Sequence, residues 1–333
     1  MSGKRWIALG IAALLLIVSA GFQFVSTIAS ANIENMFGGV NNNGVEEELI
    51  DEGQPQEKIA VIDIEGVIQD TGDTPSFMNQ GMYNHRQFLK MLESAGENRA
   101  VKGIILRVNT PGGGVVESAE IHDKVQEIQE EHNKPVYVSM GNTAASGGYY
   151  VAAPADKIVA HPATVTGSIG VIMQSINYSD LAEQIGVEFN TIKSGPFKDI
   201  LSGNRDMTEE EEEILQGMVD DFYADFVQVI ADGRDMPEDR VREIGDGRVY
   251  SGKQAQDIDL VDELGSLEDT ITMMTEEQDL SNPQVVRYHG VFSFNQFLGT
   301  SARSLFVQDA ELLGLKDLLM ESQAPRAMYL YTE

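Results

Sequence analysis

The chain of 333 residues contains no cysteine. That excludes disulfides, thiolate metal sites and cysteine nucleophiles together, and leaves the compartment open. Basic residues are scarce, 23 Lys and Arg against 53 Asp and Glu, for a formal net charge of -30. Such a surface repels nucleic-acid phosphates and anionic lipid, so no nucleic-acid partner is expected. The acidity reads first as a solvated surface, and second as adaptation to a salty or alkaline exterior. Histidine is also rare: the five are His85, His122, His132, His161 and His289. Any base for nucleophilic catalysis must come from this short set or from a lysine. Apolar residues make up 42%, ample for a core, and the 14 methionines read as core filler.

Charge is absent from one long run. After Lys4 and Arg5 comes "WIALGIAALLLIVSAGFQFVSTIASANI", uncharged up to Glu34. Roughly 20 such residues cross a bilayer, so residues 6–28 are expected to form a transmembrane anchor. Its length favours a retained anchor over a cleaved signal peptide, for which "ASA" at 29–31 would be the site. Basic residues before the span and acidic ones after it keep residues 1–5 in the cytoplasm and the rest outside. Residues 29–57, rich in Gly, Asn and acids, are expected to be a flexible linker.

From Lys58 onward β-branched runs ("KIAVIDIEGVI", "VKGIILRVNT", "KPVYVSM", "DKIVAH") alternate with helical patterns, which predicts an α/β fold with largely parallel strands. The strongest helix, "MTEEEEEILQGMVDDFYADFVQVIADGR", opens with a capping-box pattern at Thr208 and Glu211. It carries Ile214, Met218, Phe222, Phe226 and Ile230 on one face expected to be buried. The polyglutamate run is read as a solvated helix start rather than a metal site.

Two strand-to-helix turns carry the candidate chemistry. "NTPGGG" ends in three glycines whose N-H groups are unobstructed, although the spacing matches no phosphate-loop motif. About 30 residues on, "NTAASGGYYVAA" sets Ser146 before a helix, where its neighbour's N-H would face a substrate oxygen. One donor from each turn would make an oxyanion site. Each turn taken singly is equally a packing device. A base for Ser146 could be His161, in a Ser-His-Asp arrangement, or Lys193 or Lys198 in "NTIKSGPFKDILSG". A lysine serves only when desolvation leaves it neutral.

Taken together, "NTPGGG", "ASGGYYVAAPADKIVA", "TVTGSIGVI" and "KSGPFKDILS", in this order, resemble the signal peptide peptidase A family, membrane-anchored Ser-Lys peptidases of the Clp/crotonase fold. The resemblance runs from about Lys58 to Met274 and matches the short form with one catalytic domain. It implies repeated ββα units over 58–275 and a C-terminal extension over 276–333. It assigns Ser146 as nucleophile, Lys198 as general base, Gly113 and Gly147 as oxyanion donors, and Ser168 as the hydroxyl orienting Lys198, with Lys193 nonessential. It implies peptide substrates such as signal peptide remnants, no cofactor or metal, a ring-like homo-oligomer, and a bacterial cell membrane location with the catalytic domain outside. Asp259 stands where the family has Gly, as expected for a left-handed helix end that Asp tolerates. The tail "APRAMYLYTE" is expected to be loose, with occupation of a neighbouring peptide cleft as the alternative. Two other readings stay open: an acyl-CoA enzyme using the glycine N-H pair on a thioester enolate, and an inert membrane scaffold.

Overall fold

The fold was analysed in a computed structural model that describes residues 45–71, 83–290 and 327–331. The expected anchor at 6–28 and cytoplasmic residues 1–5 lie outside the described residues. Among the described residues no helix is long and apolar enough to cross a membrane.

The β-branched runs form a mixed sheet. Strands β1 (Val45–Asp51), β2 (Gln54–Glu65), β3 (Val101–Thr110), β5 (Val136–Ala145), β6 (Lys157–Ala160), β9 (Glu263–Leu264) and β10 (Pro283–Gly290) lie in the order β1-β10-β2-β3-β5-β6-β9. All neighbours in this path are parallel except β1 against β10. A short branch, β7 (Val165–Gly167) and β8 (Val249–Ser251), extends from the C-terminal end of β5. The parallel-rich α/β expectation is met.

Alternation along the strands sorts side chains between two cores. Ala60, Ile62 and Ile64 face the larger one, with Leu106, Val108, Val138 and Met140. Helices α1 (His85–Glu97), α2 (Val115–His132), α3 (Gly147–Ala152) and α5 (Glu209–Arg234) pack on it through Phe88 and Leu92, Ile121 and Val125, Tyr149, and Phe226 and Ile230. Ile59, Val61, Ile105 and Tyr137 face the other way, under Met274 of α8 (Leu267–Glu277). Short helices α4 (Ser179–Gln184), α6 (Glu238–Ile244) and α7 (Gly252–Asp257) fill the connections.

Three boundaries differ from expectation. Residues 45–51 and 54–57, expected in the linker, are strand, because β1 completes a ladder on β10 and its acids find partners: Lys58 on Glu47 and the His289 ring on Glu48. By the same pairing the folded domain extends past 275 to Gly290. Residues 328–330 of the tail are strand β11 (Met328–Leu330), not loose chain. The capping box at Thr208 and Glu211 forms as expected, and so does the left-handed Asp259 at φ 63°. The apolar stripe of α5 is buried only in its second half: Phe226 and Ile230 are sealed, while Ile214 and Met218 are over 40% exposed.

Candidate active site

The site forms where β3 and β5 end, at the carboxyl edge of the parallel strands, which is where open α/β sheets bind ligands. After β3 the chain turns through Pro111 into β4 (Gly112–Gly114), and Gly112 adopts φ +104°. The Gly112 N-H is held by the Thr110 hydroxyl at 3.0 Å, and the Gly114 N-H by the Ile68 carbonyl at 2.8 Å. Gly113 has to be glycine, since the backbone of Ile68 occupies the space a Cβ would need.

After β5 comes Ser146, at φ 53° and ψ -116°, a backbone region that non-glycine residues avoid. Surrounding bonds hold it there. Its N-H donates to the Gly167 carbonyl at 2.8 Å, and its carbonyl accepts from Tyr149 and Tyr150 at 2.9 Å each. The residue is 1% exposed, and among the described residues its buried Oγ has no hydrogen-bond partner. A buried hydroxyl left unsatisfied is costly, so its retention under backbone strain marks a group kept for another purpose.

The two turns meet. A methyl group on Gly147 would stand 3.1 Å from the Gly113 nitrogen and 2.7 Å from the Ser118 hydroxyl, so β4 and the start of α3 touch through glycine backbone. The Gly147 N-H opens the helix and has no acceptor within it. Strand β11 lies along this seam. It pairs antiparallel with β4, Met328 opposite Gly114, Tyr329 opposite Gly113 and Leu330 opposite Gly112. On its other side Met328 exchanges two 3.0 Å hydrogen bonds with Ile172, and the Tyr331 N-H reaches the Pro111 carbonyl at 2.8 Å. The Tyr329 carbonyl oxygen would be 3.2 Å from a methyl on Gly147. The Tyr329 side chain is 1% exposed, with its ring centroid 5.0 Å from Tyr150 and 4.6 Å from Phe226, and its hydroxyl donates to the Phe222 carbonyl at 3.0 Å. Burial, with Tyr150 and Asp225 nearby, holds its phenol protonated far above the ordinary range.

Ser168 follows β7 with φ 50°, donates its N-H to the Arg248 carbonyl, and opens onto a cavity of about 590 Å³ shared with Ile172, Tyr223, Leu330 and Tyr331. The structure therefore brings Gly113, Gly147 and Ser146 to one seam. Among the described residues Lys198 makes no hydrogen bond to Ser146, whose Oγ has no partner there; it sits exposed in a turn. Its neighbours are ion-paired: Lys193 and Arg205 both grip Asp199, and Arg205 also grips Glu211. His161 is exposed and its Nδ1 accepts from the Ala163 N-H, while His85 and His122 pair with Glu120 and Asp123. None of the three hydrogen-bonds to the Ser146 Oγ. Sequence reasoning missed the aromatic seat of Tyr150 and Phe226 and the strand partner Ile172; the repeated aromatics of "MYLY" were the available signal. Among the described residues no cluster of His, Cys, Asp or Glu could hold a metal ion.

A strained serine at a strand end, beside two glycine turns and a groove filled by an extended strand, in a parallel-rich α/β fold, is the arrangement of a serine peptidase, and the comparisons with known proteins agree. The particular family is Peptidase family S49, to which the chain belongs: residues 128–281 match it, and the similarity of relatives runs further. A putative signal peptide peptidase of Enterococcus faecium is 39% identical over 99% of both chains. A putative protease of Methanocaldococcus jannaschii is 35% identical over 86% of this chain and 88% of its own. Protease 4 of Salmonella typhi is 34% identical over 66% of this chain and 34% of its own.

Proposed function

We propose that the chain is a membrane-anchored endopeptidase of the Clp/crotonase fold that hydrolyses cleaved signal peptides and other unfolded polypeptides through an acyl-enzyme on Ser146. The observation that carries this reading is the buried, unpartnered Ser146 Oγ beside two glycine turns crossed by a peptide strand. In the proposed reaction Ser146 Oγ attacks the scissile carbonyl carbon and passes its proton to a neutral Lys198 amine. The Gly113 and Gly147 N-H groups hold the oxyanion. The lysine then protonates the leaving amine as the C-N bond breaks, and next takes a proton from water, which hydrolyses the ester. Ser168 orients the lysine, and no cofactor is required. Substrate class is drawn from the relatives' names, one a putative signal peptide peptidase. The apolar span at 6–28 supports the bacterial membrane location with the catalytic part outside.

Lys198 and Ser146 meet, in this reading, across a ring-like homo-oligomer. The segment carrying Lys198 is lined by exposed Ile176, Leu181, Ile185 and Ile192, and continues into exposed Ile214 and Met218. These exposed apolar side chains, on either side of Lys198 in the sequence, suit burial against another copy, which would also desolvate the lysine.

The test is hydrolysis of a fluorogenic peptide with an apolar residue before the scissile bond. Ser146→Ala and Lys198→Ala abolish turnover, whereas Lys193→Ala and His161→Ala retain it. Activity that survives Lys198→Ala and disappears with His161→Ala assigns the base to histidine. A folded parent that cleaves no peptide favours the scaffold or acyl-CoA readings.

A further inference from the structure

Lys198 is followed at once in the chain by a carboxylate, Asp199, toward which an adjacent ammonium is attracted. Among the described residues the ion pairs of Asp199 are nevertheless with Lys193 and Arg205, and none is with Lys198. Arg205 grips the carboxylate with a fork, Nε donating to Oδ2 at 3.0 Å and Nη2 to Oδ1 at 2.7 Å, and Lys193 Nζ donates to Oδ1 at 2.6 Å. Two of only 23 basic residues thus converge on the one carboxylate that adjoins the proposed base. Their hydrogen bonds, that of Arg205 first, hold the Asp199 carboxyl well below the usual carboxylate range, so it stays charged.

The guanidinium is itself fixed. Its Nη1 donates to Glu211 Oε2 at 2.8 Å and to the Asp206 carbonyl at 2.9 Å, and the buried Glu211 holds the Thr208 N-H on the same oxygen at 3.0 Å. The charged groups that bear on Asp199 are Arg205 and Lys193, and those that bear on Arg205 are Asp199 and Glu211. The turn is closed separately by its backbone: the Ser202 N-H reaches the Asp199 carbonyl at 3.0 Å and the Ile200 N-H the Phe197 carbonyl at 3.2 Å. That leaves the side-chain carboxylate as what the fork acts on.

We propose that Arg205 is a positioning residue that, with Lys193, keeps the Asp199 carboxylate off the Lys198 amine and so leaves that amine free to take the Ser146 proton. The reason is electrostatic. A carboxylate within about 4–6 Å of an amine favours its charged form, and a charged amine cannot act as a base. Exclusion of water by a neighbouring copy would strengthen the effect. Arg205 acts through Asp199 and takes no part in the proton transfer. This rests on the proposed Ser146 and Lys198 pair and adds the group that keeps its base competent.

The experiment compares full-length parent, Arg205→Gln, Lys193→Ala and the double variant Arg205→Gln with Asp199→Asn. The first readout is the acid limb of kcat/KM against pH with the fluorogenic peptide. Releasing the carboxylate in Arg205→Gln should move that limb up by about one pH unit, with the rate recovering toward the parent's on the alkaline side. Lys193→Ala, which removes an exposed side chain, should move it the same way by a smaller step, and decides the case should Arg205→Gln not fold. Asp199→Asn added to Arg205→Gln removes the released charge and should bring the limb back. A limb unmoved in the single variants, or one that Asp199→Asn does not bring back, overturns the proposal; a lower kcat at an unmoved limb is what a merely structural clamp gives. The second readout needs no turnover. In a full-length Ser146→Ala background, the pH dependence of reductive methylation at Lys198, followed by mass spectrometry, should show the same order of midpoints. If no variant cleaves peptide, the peptidase reading fails, while the methylation midpoints still decide whether Arg205 frees the amine.

Discussion

Tyr329 lies directly opposite Gly113 in an antiparallel pair, and its carbonyl oxygen abuts the start of α3 at Gly147. In the proposed site a residue of the chain itself thus occupies the place of a substrate residue, its ring sealed against Tyr150 and Phe226. The strand on β4 supplies main-chain pairing and the aromatic seat supplies apolar burial, the two parts of peptide recognition by strand addition.

Deleting residues 324–333 should therefore raise activity. A tethered segment competes at an effective concentration on the order of millimolar, above that of added peptide. A several-fold rise in kcat/KM is expected for the deletion, and a smaller rise for Tyr329→Ala, read from initial rates. Unchanged rates in both would mean that the strand does not obstruct the groove in solution.

A second expectation concerns the unpartnered hydroxyl of Ser146 and the exposed ammonium of Lys198. With the dyad completed between copies, Ser146→Ala and Lys198→Ala proteins, each inactive, should regain part of the parental rate when dissociated and reassembled together. Analytical ultracentrifugation would establish that mixed assemblies form. Mixed assemblies that stay inactive would refute the shared site.

The Gly147→Ala variant separates positioning from folding. Its methyl would meet the Ser118 hydroxyl at 2.7 Å, a side-chain atom able to move, yet it would also crowd the Gly113 nitrogen and the Tyr329 carbonyl. The substitution keeps the backbone N-H but displaces it, and misplacing a donor of the proposed oxyanion site is expected to approach the roughly 10²-fold loss in kcat that removal of such a donor causes. A drop of that size with a nearly unchanged Tm is expected; full activity would remove Gly147 from the site.

Much of this was legible beforehand because it follows from local chemistry. Strand runs such as "KIAVIDI" alternate faces and must pair; Thr208 and Glu211 cap because the spacing satisfies both donors; Asp259 takes the left-handed turn its side chain tolerates. Ser146, Gly113 and Gly147 converge because both turns leave adjacent strands at the same edge. What escaped depended on long-range pairing. Residues 45–51 look like an acidic linker until Val45 to Asp51 find β10, and "MYLY" looks like a loose end until it finds three glycines more than 200 residues earlier. Nor does periodicity say what covers a stripe, and Ile214 and Met218 remain open on the described chain.

The segment that carries Lys198 is pinned by Arg205 between two carboxylates, with Lys193 also on Asp199, and this gives it a defined pH dependence. Arg205 donates to Asp199 and to Glu211, whose carboxylate is buried at the start of α5 beneath the Thr208 N-H. These hydrogen bonds pull Glu211 down to about 2 and hold Asp199 lower still. Because the folded-state pKa values lie below the unfolded ones, the stabilisation is fully present above the ordinary carboxylate range and is lost as pH falls through the folded values. Arg205→Met removes it. The urea midpoint of the variant should thus fall furthest below the parent at pH 5 and above, with the gap closing between about pH 4.5 and pH 2. Peptidase activity after a brief acid pulse should fail in the variant at a higher pH than in the parent. A gap that stays constant down to pH 2 would mean that neither carboxylate draws its stability from Arg205, and the turn bearing Lys198 would have to be held by other contacts.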